Sequence, residues 1–128
     1  MEMLNPQAEL TNALLTVIPQ LNVDTYFYLP QDEVNYPFVV IGEQTVTGVY
    51  TKERPIVNIN QLIHIFALKD DLQLVQNLSK RIEATVYNLQ QTENFKWVNT
   101  LDNNVLLMDD TTNDELWHAV LTFTSQSN

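Results

Sequence analysis

The chain has no cysteine, which excludes disulfides and thiolate zinc sites and leaves packing to hold the fold. Only two glycines occur in 128 residues, Gly42 and Gly48, so neither a glycine-rich phosphate cradle nor a dinucleotide fingerprint can be written. Cations are scarce: six Lys and Arg stand against sixteen Asp and Glu, a formal charge of -10. Such a surplus repels phosphate backbones and argues against ordinary nucleic-acid binding. No stretch approaches the roughly 18 consecutive apolar residues of a membrane span, and no basic segment followed by an apolar run opens the sequence. A soluble protein, cytosolic or part of a soluble particle, is the expectation.

What is present is an ordinary globular mixture, 45% hydrophobic and 17% charged, far from the composition of disorder. The length suits a single domain over 1–128 that buries roughly 65 to 70% of its unfolded surface. Asn5 followed by Pro6 reads as an N-cap and first helical residue. Leu10, Ala13, Leu14, Val17 and Ile18 then recur at spacings of three and four, and Pro19 stops the helix. A second helix is predicted from a cap at Asp70 or Asp71, with Leu72, Val75, Leu78, Ile82, Val86 and Leu89 on its apolar side.

Five strands complete the pattern. Val, Thr, Tyr and Phe dominate 23–29, with Pro30 as a break. Phe38, Val39, Val40 and Ile41 form a continuous apolar run, which suits a strand covered on both faces. Residues 43–58 read as a long β-prone excursion with a charged tip, and 56–68 as a returning strand with both faces covered. The last two strands are expected near 96–108 and 115–124, joined by a polar turn, with a loose tail at 125–128. The fold class is therefore α+β: a mostly antiparallel mixed sheet of about five strands, two helices packed on one face, and the order α-β-β-β-α-β-β.

Few residues offer chemistry. His64 and His118 are the only imidazoles, and each falls in a predicted strand; their rings would meet if those strands were neighbours. Zinc would need further ligands and catalysis a positioned nucleophile, and the sequence places neither nearby, so a structural role is favoured. Asp109, Asp110, Asp114 and Glu115 form the densest acidic cluster, but no glycine lies between them for a calcium loop, and a solvated turn is the simpler reading. Ser79, Ser125 and Ser127 sit in a helix or the tail, away from any nucleophile elbow. No enzyme, metal or cofactor is expected. Tyr50, Lys52, Glu53 and Arg54, at the tip of the excursion, are candidates for a subunit contact, since a β-arm with apolar shoulders can add to a neighbour's surface.

The segment Tyr36-Pro37-Phe38-Val39-Val40-Ile41-Gly42-Glu43 is similar to one near the start of the sheet in phage tail terminator proteins. The strand Leu62-Ile63-His64-Ile65-Phe66, the helix over 72–89, and an acidic turn before Leu116-Trp117-His118-Ala119-Val120-Leu121 follow in the expected order. Over most of its length the chain thus resembles the tail terminator (tail completion) family of siphophages. The resemblance implies a virion neck protein, assembled in the host cytoplasm as a hexameric ring, that caps the tail tube, ends its polymerisation and offers the head a joining surface. It implies as partners the major tail-tube protein and a head-completion or connector protein, with DNA passing unbound. A closed ring uses a repeated heterologous contact, and an acidic lumen denies phosphate a binding site. Asp109, Asp110, Asp114 and Glu115 are the candidates for such a lumen or loop surface. Two other readings remain open: another head-tail connector, or an acidic DNA mimic that inhibits a nucleic-acid-binding protein.

Overall fold

A computed structural model describes residues 4–50, 55–110 and 115–128. Helix α1, Pro6–Val17, begins as its residues dictate: the Asn5 side chain accepts from the Ala8 amide at 3.0 Å, and Pro6 occupies the first turn. A 3-10 turn, Ile18–Leu21, follows and ends at Asn22 with φ of 62°, a left-handed conformation that Asn tolerates better than most residues. Helix α2, Leu72–Tyr87, follows a short 3-10 turn, Lys69–Asp71. Asp71 does sit at its N-cap, but its side chain makes no capping bond.

The strands are β1 (Asp24–Tyr26), β2 (Phe38–Tyr50), β3 (Pro55–Leu68), β4 (Trp97–Asp109) and β5 (Leu116–Ser127). They form one sheet in the order β1-β2-β3-β5-β4. Only β1 and β2 are parallel; the other neighbours are antiparallel. The element order and the α+β class match the expectation.

Both helices cover one face of this sheet. Leu10, Leu14 and Ile18 from the first helical segment and Val75, Leu78, Ile82 and Val86 from α2 join Val39, Ile41, Ile63, Ile65, Ala119, Leu121 and Phe123 in a single core. The dry interior is thus built from one parity of each strand and one stripe of each helix. Polar side chains tie its margins. Glu9 of α1 accepts from the Thr92 hydroxyl and from the Asn94 amide and side chain, and Asn99 of β4 donates to the carbonyls of Val86 and Leu89 where α2 ends. Between α1 and the sheet, Gln7, Thr11, Gln44 and Gln61 form a bonded network that also reaches the Gly42 carbonyl. The buried Gln61 is acceptable there because its amide is satisfied.

Several boundaries differ from the sequence expectation. The first strand keeps three residues of the seven read at 23–29; Phe27, Tyr28 and Leu29 leave the sheet and are exposed. The excursion at 43–58 is no separate element. Past a register shift between Ile41 and Gln44, β2 continues to pair with β3 from Gln44↔Gln61 to Tyr50↔Pro55, because β-prone polar residues suit a strand with an open side as well as apolar ones suit a covered strand. Of the tail read as loose at 125–128, residues 125–127 belong to β5. Ser125 and Ser127 are buried, Ser127 accepts from the Val57 amide, and Asn128 exchanges backbone bonds with Lys96. Small hydroxyl side chains bury easily once bonded. Strand β3 is sealed on one face only, since Leu62, His64 and Phe66 remain partly exposed.

Candidate functional site

The face of the sheet turned away from the helices carries the chain's unusual chemistry. The register aligns two rows across four strands. One runs Phe38, Phe66, His118, Leu107; the next runs Val40, His64, Val120, Val105. Side chains on one face at matching positions pack as cross-strand pairs, and in the first row three of the four are rings. Phe38 stacks on Phe66 at 5.0 Å between centroids and Phe66 on His118 at 4.3 Å, with Tyr36 and Tyr26 set against Phe38. The Tyr36–Pro37 peptide bond is cis.

His64 and His118 are diagonal neighbours on β3 and β5, and their rings do meet: His64 Nδ1 lies 2.8 Å from His118 Nε2. His64 Nε2 lies 2.9 Å from Glu43 Oε1. A carboxylate only accepts, so His64 donates from Nε2; while both rings are neutral, His118 Nε2 then donates to His64 Nδ1. A further proton taken up by His118 goes to its Nδ1 and leaves the central bond in place. The result is a bonded chain from His118 through His64 to the Glu43 carboxylate.

The surroundings act on both ends of this bonded chain. Burial pushes the His118 imidazole below its usual value, and neighbouring His64 adds to this, against the opposite pull of Asp109 and Glu43. A bond from its own backbone amide and the bond to His64 hold the Glu43 carboxyl below the usual carboxylate range. Gly42 explains how the imidazole fits. A Cβ there would lie 2.8 Å from His64 Cδ2 and 2.9 Å from Nε2, so any side chain on the residue before Glu43 would displace the imidazole.

Beyond the sheet, Phe27, Tyr28 and Leu29 overhang this cluster. With Val40, Gly42, Glu43, His64, Phe66 and His118 they line a groove of about 420 Å³. Among the described residues no group of three or more His, Asp or Glu is arranged to hold a metal ion, and no helix is long and apolar enough to cross a membrane. The arrangement supplies stacking surface, a hydrogen-bonded histidine pair and an apolar cleft.

The other candidates are scattered. Tyr50 ends β2, while Lys52, Glu53 and Arg54 lie outside the described residues. Asp109 ends β4, Asp110 is exposed, and Glu115 pairs with Lys69 at 2.8 Å; Asp114 lies outside the described residues. Sequence reasoning missed Glu43 and the overhang at 27–29. Glu43 had no signal, because its approach to His64 depends on the bulge. The run Tyr26-Phe27-Tyr28-Leu29 did carry one, an aromatic density more than a three-residue strand needs.

A mixed five-stranded sheet with both helices on one side and an aromatic-histidine cluster on the other defines the class of fold. No protein-family model and no curated protein matches the chain. Among solved structures, a chain from the "virion of native gene transfer agent (GTA) particle" is similar in fold, with a TM-score of 0.72 over 95% of this chain and 93% of that one at 12% sequence identity.

Proposed function

We propose that this protein is a structural subunit of a phage-type virion, and more specifically a tail terminator that closes as a ring on the finished tail tube and presents the surface on which the head docks. The observation that carries the reading is the end-to-end likeness of fold to a virion chain, joined to the order of short segments around Tyr36 to Glu43, Leu62 to Phe66 and Leu116 to Leu121. The role is one of contact and shape, without catalysis. In it, Tyr50, Lys52, Glu53 and Arg54, which fall between Val49 and Pro55 in the sequence, meet a neighbouring subunit or the tube. The net charge of -10, including Asp109, Asp110, Asp114 and Glu115, keeps DNA moving through the ring by denying phosphate a foothold.

The decisive experiment adds the purified chain to polymerising tail-tube protein and measures tube length by negative-stain microscopy. Shortened tubes with a cap at one end are expected, and light scattering should detect six-membered rings on the tube or in solution. Tubes that grow to the same lengths with and without the chain would sink the reading.

A further inference from the structure

Strand β4 is an edge of the sheet, and its two halves differ. The first half is obstructed. The Trp97 amide donates to the Gln90 carbonyl at 2.9 Å, Gln91 forms an isolated bridge with Lys96, and the register shifts between Leu101 and Asn103, where Asp102 is the extra residue. Covering segments and bulges of this kind keep an edge from pairing with other chains. The second half, residues 103–108, has no such device. It pairs regularly with β5 and contains no Lys, Arg or Pro, and no described strand lies on its other side. Alternate backbone amides and carbonyls of an edge strand point away from its sheet. Beside them Val105, Leu107 and Met108 are 39%, 49% and 42% exposed, an apolar patch on both faces of one short stretch.

We propose that residues 103–108 form a docking edge that takes an extended segment of another protein as an added strand, with aliphatic side chains at alternate positions and a basic residue beyond each end. Charge selects this occupant. Asp102 precedes the stretch, and Asp109 and the exposed Asp110 follow it. A second copy pairing antiparallel about the middle of the stretch would set Asp102 of one copy opposite Asp109 of the other, twice over, and like charges directly opposite are destabilising. A segment with basic ends turns both repulsions into attractions while its backbone completes the ladder. The inference is independent of the tail-terminator reading, because it concerns what this edge recognises in any assembly.

The test uses the full chain and a short fluorescent peptide of alternating valine and threonine with lysine at both ends. The same peptide ended in glutamate, and a version N-methylated at alternate amides, serve as comparisons. The lysine-ended peptide should bind at least about tenfold more tightly than the glutamate-ended one, weaken as salt is raised, and slow hydrogen exchange at residues 103–108. N-methylation should abolish binding. Leu107→Lys should remove the binding and Val98→Lys, on the same face of the obstructed half, should not; both side chains are exposed, so both variants should keep the parent melting temperature. Equal binding of the glutamate-ended peptide, or no slowing at 103–108, would overturn the proposal. So would a dimer of the chain alone that Leu107→Lys dissolves, since the occupant would then be a second copy.

Discussion

On the helix-bearing side of the sheet Ile63, Ile65, Ala119 and Leu121 are at most 1% exposed, whereas one pleat away His64, Phe66, His118 and Val120 stay partly open. The two sets come from the same two strands and alternate residue by residue. A strand with one face sealed by helices is anchored by that face, which frees the other to carry groups chosen for something besides stability. The aliphatic side has one arrangement that packs. The aromatic-histidine side has a bonded pair of titratable rings and a cleft overhung by Phe27, Tyr28 and Leu29.

The largest expected effect breaks the sealed side. Ile65→Ala should cost about 3 kcal/mol through lost burial and a cavity, measured by urea unfolding; a loss below about 1 kcal/mol would mean that the core repacks and the two faces differ less than their burial suggests. Gly42→Ala should cost about 1 to 2 kcal/mol, because the new Cβ displaces the His64 ring. In a His64→Ala background the same change should cost little, and a full cost there would place the strain in the backbone and not in the imidazole.

Acid should act on the open side. Folded His118 takes up its proton at lower pH than the unfolded imidazole, whose usual value is 6.5, so the unfolded chain binds more protons as the pH drops below that point and stability falls with it. Glu43, with a carboxyl held below 4.5, adds stability that is present above that value and lost below it; its side chain is 70% exposed, which makes that contribution small. The melting temperature should therefore decline from pH 7 to pH 5. His118→Phe, which keeps the stack on Phe66, should flatten the decline; an equally steep curve would exonerate the pair. The smallest effect is expected at the margin of the open side, where Leu107→Ala should change stability by less than about 0.5 kcal/mol.

Much of the scaffold was legible because it depends on local rules. The Asn5-Pro6 start and the spacing from Leu10 to Ile18 and from Leu72 to Val86 specify helices by periodicity and capping alone. Phe38 to Ile41 reads as a fully covered strand, and all four residues are buried. The polar strand segments were harder. Residues 43–50 and 125–127 lack an apolar alternation and are held in the sheet by partners distant in sequence, among them Gln61 for Gln44 and Trp97 for Ser127.

The site was legible only in pieces. Two histidines in strands were evident, yet whether they touch depends on β3 and β5 being neighbours, a matter of strand order that no local pattern encodes. Composition and periodicity by themselves determined that this is an acidic α+β chain with two amphipathic helices and five strands, because charge counts and hydrophobic spacing are properties of the chain before it folds. Tertiary structure decided that β5 inserts between β3 and β4, that a bulge at Gly42 delivers Glu43 to His64, and that half of β4 is left as an open edge. Each of these is set by pairing between segments far apart in sequence, where register and neighbour, not residue type, fix which groups meet.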